Sequence, residues 1–193
     1  MSPADPASRA GVMPKASGDP SSRTFGNNMK LLFALVTLLY ISGCQYDPHA
    51  HAYTTQKPSV KDIEGEYEFS EIYMESYAPG IRDKVHKLAS LPTVHIYPDG
   101  RLTASNFPYF SETRQGFEYR FEDFRSLDTT WEQAVVGGIG DGSGKILDHQ
   151  GLSLSKLPLH LSSVGFTGTK KIDGLIFGFG DPDSGDAIIF RKK

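Results

Sequence analysis

Apolar and polar residues alternate over several short stretches after position 62, which is the pattern of half-buried β-strands. Tyr67, Phe69 and Glu71 share one face of the first stretch, and the alternation is most regular over Phe117–Glu122. Such short strands favour an antiparallel sheet over a fold of alternating strands and helices. Further strands are predicted over Thr93–Tyr97, Arg101–Ser105, Gly151–Ser163, Gly174–Gly180 and Asp186–Phe190.

Turn residues separate the strands and predict hairpins. Pro98-Asp99-Gly100 and Asp181-Pro182-Asp183-Ser184-Gly185 supply the Pro, Asp and Gly that tight turns require. Phe107–Phe110 is interpreted as an aromatic loop, and Gly137–Gly144 as a flexible loop because it is dense in glycine. Pro158 would limit the strand around it to a sheet edge or a bulge.

Two short helical segments are predicted. Ile81, Val85 and Leu88 recur at helical spacing with charged residues between them, which indicates about two turns of amphipathic helix. Thr129 and Glu132 have the spacing of a capping box, so one helical turn is expected there. The sequence therefore predicts a mainly β domain over residues 62–193, a small antiparallel barrel or sandwich with one or two short helices.

The residues before position 62 have a different character. Leu31–Ile41 is a mainly apolar run of eleven residues that follows Lys30 and is followed by Ser42, Gly43 and Cys44. A run of this length is too short to span a bilayer but suits the apolar region of a signal peptide. A signal peptide is therefore predicted over residues 29–43, with a buried helix or an uncleaved signal anchor as the alternatives.

The end of the run, Ile41-Ser42-Gly43-Cys44, resembles the bacterial lipobox. The resemblance implies cleavage before Cys44, diacylation of its thiol and anchoring to a membrane. Two or more acyl chains anchor a protein stably, whereas one does not. The expected location is the bacterial cell envelope, on the periplasmic face of the outer membrane or on the cell surface.

Two flanking segments show no apolar periodicity. Residues 1–28 are rich in Pro, Ser, Gly and Ala, so they are predicted to be disordered, and our hypothesis is that translation begins at Met29. Residues 44–61 contain Pro48 and Pro58 among polar residues and are predicted to be a tether that holds the domain off the membrane.

Charge and cysteine content exclude several classes of function. Of 20 Lys and Arg and 23 Asp and Glu, residues 1–44 hold four and two, so the remainder carries 16 and 21, a net charge of −5. An acidic domain lacks the basic surface that nucleic acid requires, so no nucleic-acid partner is expected. Cys44 is the only cysteine, and its acylation would leave no thiol for a disulfide, a zinc site or a nucleophile.

The glycine-rich segment Gly138–Lys145 invites comparison with a phosphate-binding loop. That motif needs glycine where Ile139 stands and Ser or Thr where Ile146 stands, so the comparison fails. Ser153 and Lys156 match a Ser-x-x-Lys pattern, but the chemistry of that pattern requires both residues on one helix, and here a strand is predicted.

Metal-binding patterns are weak. Asp181, Asp183 and Asp186 could bind a hard cation, but the same residues are typical of a hairpin turn, and their spacing is not that of an EF-hand. Asp47, His49 and His51 provide too few ligands for a closed site. We therefore predict no cofactor and keep the three aspartates as weak metal candidates.

Three segments resemble a family of uncharacterised small bacterial proteins, many of which carry lipoprotein or secretory leaders. The segments are the opening strand Ile63–Tyr67, the hairpin Ile96–Pro108 and the closing hairpin Phe177–Lys192, which contains Gly-Asp-Pro-Asp-Ser-Gly. The resemblance covers about a third of the domain and implies a lipocalin-like or avidin-like barrel. It implies no activity, so no functional residue is transferred from it.

The expected function is that of a lipid-anchored envelope protein that acts as a binding or interaction module and is not an enzyme. Its partner would be a small apolar ligand in the barrel or another envelope protein. The alternatives are a hydrolase whose Asp, His and Ser residues meet only in the folded chain, and an inhibitor lipoprotein of the kind that confers immunity to a toxin.

Overall fold

A computed structural model describes residues 47–114, 118–140, 143–169 and 171–193. Eight antiparallel strands form a closed barrel in which each strand pairs with the next one in sequence and the last pairs with the first. This confirms the predicted mainly β barrel. The strands are β1 Gly65–Tyr73, β2 Thr93–Ile96, β3 Arg101–Arg114, β4 Glu118–Gly140, β5 Ile146–Leu154, β6 Ser163–Thr167, β7 Gly174–Gly178 and β8 Ala187–Lys192.

The described helices are short. Helix α1 spans Val60–Ile63 and helix α2 spans Ile81–His86, which confirms the helix predicted from Ile81 and Val85. Ser59 and Asp62 form a capping box at the start of α1, and Ile63 at its end is fully buried. The Tyr67 hydroxyl donates to the Ile63 carbonyl at 2.5 Å, so the end of α1 is fixed to the start of β1. Single 3₁₀ turns occupy Ala50–Ala52, Leu159–Leu161 and Pro182–Ser184.

Aromatic side chains fill the barrel interior. Phe107 stacks on Phe190 with ring centroids 5.9 Å apart, and Phe177 meets both rings edge to face. Burying these rings removes a large apolar area from water, so they supply much of the stability of the barrel. The fully buried aromatic side chains are Tyr67, Phe107, Phe110, Phe166, Phe177 and Phe190.

A β-bulge in β1 changes which residues face the core. The pairing with β8 shifts between Phe69 and Glu71, so one extra residue separates the two halves of the strand. Ile72 is therefore buried and Glu71 is exposed, whereas strict alternation predicted Glu71 beside Tyr67 and Phe69. The prediction was wrong because the period of two does not continue across a bulge.

Three segments that were predicted to be loops or a helical turn belong to strands. Phe107–Phe110, predicted to be a loop, lies in β3 after a bulge at which Asn106 has φ 51°. Thr129 lies within β4, where it pairs with Leu102, so the helical turn predicted there was wrong. Gly137–Gly140 also belongs to β4, because it pairs with residues 146–149 of β5. In each case pairing with the neighbouring strand overrides the local sequence signal.

The strand predicted over Gly151–Ser163 is two strands. β5 ends at Leu154, and Pro158 lies in the connection, directly before the 3₁₀ turn Leu159–Leu161. Pro158 has no amide hydrogen to donate to a sheet, which explains its place outside the strands. β6 then begins at Ser163.

Candidate functional site

Residues 52–54 fill a gap between β5 and β6. These strands pair only through Gly151–Ser153 and then separate. Beyond that point the Thr54 amide donates to the Phe166 carbonyl at 2.8 Å, and the Gln150 amide donates to the Thr54 carbonyl at 2.8 Å. Gly168 donates to the Ala52 carbonyl at 3.0 Å. The segment therefore satisfies backbone groups that the separation of the two strands would leave unpaired.

The described part of the predicted tether thus lies against the barrel. Ala50 and Thr54 are buried, and the Gln133 side chain donates to the Pro58 carbonyl at 3.1 Å. The sequence gives little sign of this contact, because the segment is polar and has no alternating pattern. Its binding depends mainly on backbone hydrogen bonds to two distant strands.

Tyr53 packs on the outer surface of the sheet at Gly165, where no side chain projects. A Cβ atom at Gly165 would lie 2.2 Å from Tyr53 Cε1, so the ring occupies the space of a side chain there. Val164 and Phe166 on either side of Gly165 belong to the core. Because side chains alternate along a strand, Gly165 faces outward and Tyr53 covers the barrel from outside.

Tyr53 also stacks on His149 of β5. The ring centroids are 4.4 Å apart and the planes are inclined by 10°. His149 is only 5% exposed, and its Nε2 atom is buried without a hydrogen-bond partner among the described residues. Burial lowers the pKa of His149 and raises that of Tyr53, while the nearby Asp47 carboxylate raises both. The imidazole is therefore held in its neutral form.

The turn between β7 and β8 holds the start of the described chain. Gly185 has φ 69°, and a Cβ atom there would lie 2.6 Å from Pro48 Cγ. The His49 Nε2 atom donates to the Gly185 carbonyl at 3.0 Å. The His49 amide donates to the Asp47 carboxylate at 2.7 Å, which orients that carboxylate.

These contacts leave a cavity of about 460 Å³ between residues 47–53 and the outer face of the sheet, which we call the outer cleft. Its apolar lining includes Val136, Ile176 and Ala187. No Lys or Arg is among the described residues that line it. Its ionisable side chains are Asp47, His49, His51, Tyr53, His149 and Asp186.

The weak metal candidates are placed in the turn between β7 and β8. The Asp181 carboxylate accepts a hydrogen bond from the Asp183 amide at 3.0 Å, and Gly185 ends the turn. Asp186 accepts from the Ser76 hydroxyl at 3.2 Å and lines the outer cleft. Across the described residues, no three His, Cys, Asp or Glu side chains are grouped as metal ligands. The contacts of the Asp181 carboxylate are those of a turn, whereas Asp186 bonds to Ser76 in the connection between β1 and α2.

A second depression of about 370 Å³ adjoins the outer cleft, and its lining includes His160 and Glu112, a histidine and a carboxylate that could be taken for a catalytic pair. His160 Nδ1 lies 3.6 Å from the Glu112 carboxylate, and His160 Nε2 donates to the Phe110 carbonyl at 2.9 Å. A general base needs a free nitrogen lone pair directed at its substrate. Here Nε2 donates to the Phe110 carbonyl, and Nδ1 is buried without a hydrogen-bond partner among the described residues, so its lone pair is not accessible to a substrate. The hydrogen bond to Phe110 joins the 3₁₀ turn Leu159–Leu161 to β3.

Sequence reasoning missed the two residues at the centre of the outer cleft. Tyr53 was included in the tether, and His149 was one of several scattered histidines. The sequence signal for a close contact here was the pair of glycines within strands, Gly151 and Gly165. In the structure a Cβ atom at Gly151 would lie 2.2 Å from the Val164 carbonyl. Glycine within a strand indicates a close approach, but it does not show which residue approaches.

The predicted leader 29–43, the segment 1–28 and Cys44 lie outside the described residues. No family model, curated protein or solved structure matches this chain. Among the described helices, none has the length and hydrophobicity to cross a bilayer.

Proposed function

We propose that this protein is a lipid-anchored envelope protein that binds a small molecule in the outer cleft. The observation that carries the proposal is the cleft of about 460 Å³ beside His149, a buried imidazole whose Nε2 atom has no hydrogen-bond partner among the described residues. Small-molecule sites are concave, mainly apolar and furnished with a few polar groups. His149 lines the cleft and its Nδ1 atom lies beside Gly137, so a ligand can hydrogen-bond to the imidazole through that atom.

The packing of the barrel supports a site outside its interior. Six large aromatic side chains are fully buried within the ring of strands. The outer cleft instead lies against outward-facing positions such as Gly165 and Ile176. This differs from a lipocalin-like arrangement, in which the ligand would lie in the lumen.

A binding role fits the described histidines better than hydrolysis does. None of their rings is hydrogen-bonded to a serine or threonine hydroxyl within the described ranges; His49 and His160 donate to backbone carbonyls. A Ser-His-Asp mechanism requires the histidine to face the nucleophile. Binding is therefore the function that the geometry supports best.

The anchor is the second part of the proposal. Cys44 follows the lipobox-like residues Ile41-Ser42-Gly43, and only Gln45 and Tyr46 separate it from Asp47 on the rim of the outer cleft. Cys44→Ser should prevent acylation, so the precursor should keep its leader and its intact mass should show no acyl chain. A variant that is still processed and still sediments with membranes would contradict the anchor.

The binding role is tested by filling the outer cleft. Gly178 lines the cleft, and a Cβ atom there meets nothing within 4 Å, so Gly178→Leu introduces a large side chain into the cleft from an open position. Gly140 is equally open but does not line the cleft, which makes Gly140→Leu the matched control. The full chain is released from membranes into nanodiscs and analysed by native mass spectrometry.

We expect the wild-type protein and Gly140→Leu to retain a co-purifying small molecule that Gly178→Leu has lost. Retention of the same molecule by Gly178→Leu would exclude the outer cleft as its site. A wild-type protein that carries nothing from its native membranes would contradict the binding role.

A further inference from the structure

The charges around the outer cleft restrict the ligands that it can hold. Asp47 and Asp186 line it, and Lys and Arg do not occur in its described lining. His149 is neutral because burial lowers its pKa. The cleft therefore carries a negative potential, which disfavours phosphates and carboxylates and favours a cation.

His149 provides a hydrogen-bond acceptor in the same place. Its Nε2 atom has no hydrogen-bond partner among the described residues, although the side chain is almost completely buried. The Nδ1 atom lies beside Gly137, where a Cβ atom would be 3.6 Å away. Gly137 lines the cleft and has no side chain to cover this nitrogen. With the ring proton on Nε2, the Nδ1 lone pair faces the Gly137 side of the cleft.

The Asp47 carboxylate is close enough to His149 to affect its protonation. The His49 amide already binds one carboxylate oxygen and holds the group in place. A carboxylate and an imidazole lone pair together suit a primary ammonium group, which has three hydrogens to donate. The apolar lining at Val136, Ile176 and Ala187 suits a hydrocarbon body attached to that group.

We propose that the outer cleft binds a small amphipathic primary amine. The ammonium group lies between the Asp47 carboxylate and His149 Nδ1, and the apolar body lies against Val136, Ile176 and Ala187. This inference rests on the proposed binding role and names the ligand class. The same ammonium chemistry occurs on free amines and on the headgroup of phosphatidylethanolamine, and the test separates the two sources.

The test uses the full chain in nanodiscs of phosphatidylglycerol, a lipid without an amine. Phenethylamine, 2-phenylethanol and 3-phenylpropanoate share an aromatic body and differ in charge. Binding is followed through the imidazole ¹⁵N resonances of His149, which are assigned from their loss in His149→Phe. We expect phenethylamine to bind at least about tenfold more tightly than the alcohol, because the charged group gains a charge-assisted hydrogen bond.

Two variants distinguish binding in the cleft from the general attraction of a cation to the anionic lipid disc. Asp47→Asn should reduce the affinity for phenethylamine about tenfold and leave that for 2-phenylethanol unchanged. Asp83→Asn removes an equal charge from the exposed helix α2, outside the cleft, and should change neither affinity. An unchanged amine affinity in Asp47→Asn would overturn the inference.

The remaining outcomes are also decisive. Equal binding of the amine and the alcohol, or tighter binding of the carboxylate, would refute the amine preference while leaving the cleft a binding site. Absence of any shift of the His149 resonances with phenethylamine would also refute the amine preference. The native-membrane experiment tests the binding role separately. A shift of the His149 resonances in phosphatidylethanolamine discs without added amine would identify the lipid headgroup as the source; no shift there would identify a free amine.

Discussion

Tyr53 and His149 stack with their ring centroids 4.4 Å apart and their planes inclined by 10°. Tyr53 belongs to a segment without strand character in the sequence, and His149 belongs to β5. Their contact joins the start of the described chain to the outer face of the barrel. The outer cleft exists because this segment is held there, so the first predictions concern what holds it.

Gly165→Ala should displace Tyr53. The new methyl group would lie 2.2 Å from Tyr53 Cε1, and the ring, packed between the sheet and His149, has little room to move. We expect a loss of about 2 kcal/mol in the free energy of unfolding, measured by urea denaturation. Gly178→Ala on β7 adds the same methyl group where nothing lies within 4 Å. Equal stability of the two variants would show that Tyr53 does not pack on Gly165.

Gly185→Ala should release residues 47–49 from the turn between β7 and β8. The added Cβ atom would lie 2.6 Å from Pro48 Cγ, in a residue with φ 69°. Gly80→Ala places alanine at the similar φ of 74° with nothing within 4 Å, so it isolates the backbone strain. Limited proteolysis with subtilisin, followed by mass spectrometry, should show faster cleavage within 47–58 in Gly185→Ala only. Equal cleavage in both variants would contradict the Pro48 contact.

His149 should make stability depend on pH. Burial lowers its pKa in the folded protein below the ordinary value of 6.5, so the unfolded chain binds more protons in this range. The stability due to the neutral ring is present above pH 6.5 and is lost as the pH falls through the folded pKa. The free energy of unfolding should therefore fall between pH 7.5 and 5.5, and less steeply in His149→Phe. Parallel curves for the two proteins would show that His149 titrates normally.

Tyr67→Phe should weaken the attachment of helix α1. The Tyr67 hydroxyl is buried and donates to the Ile63 carbonyl at 2.5 Å, so its removal leaves that carbonyl without this partner. We expect a loss of about 1–2 kcal/mol in the free energy of unfolding. The matched control is Tyr73→Phe, which removes an exposed hydroxyl that donates to Glu71 and should change stability by less than about 0.5 kcal/mol. Similar losses in both would contradict the role of the Ile63 contact.

The sequence was sufficient to predict the barrel but not its irregular parts. Alternation located β1, and turn residues located the hairpins, because each depends on neighbouring residues. The bulge between Phe69 and Glu71 and the inclusion of Thr129 in β4 depend on partner strands, which local patterns do not reveal. The closing hairpin was predicted because its turn depends on nearby residues: the Asp181 side chain caps it and Gly185 ends it in the left-handed conformation.

The candidate site was less predictable for the same reason. Asp47, His49 and His51 were considered as metal ligands and rejected as too few for a closed site, and the structure places all three at the outer cleft. Tyr53 meets His149 only when the chain is folded, through backbone pairing that any residue type could make. The predicted acylation of Cys44 and the family resemblance remain predictions.

Hydrogen exchange at the Thr54 amide tests most directly whether residues 47–58 form part of the folded domain. In the full chain, this amide donates to the Phe166 carbonyl at 2.8 Å, whereas no acceptor for the adjacent Thr55 amide occurs among the described residues. We predict that Thr54 exchanges at least about a hundredfold more slowly than Thr55, at a rate close to that of the β5 amide of Gln150. Exchange of Thr54 as fast as Thr55, with Gln150 unprotected as well, would show that the segment is a free tether and that the outer cleft does not form.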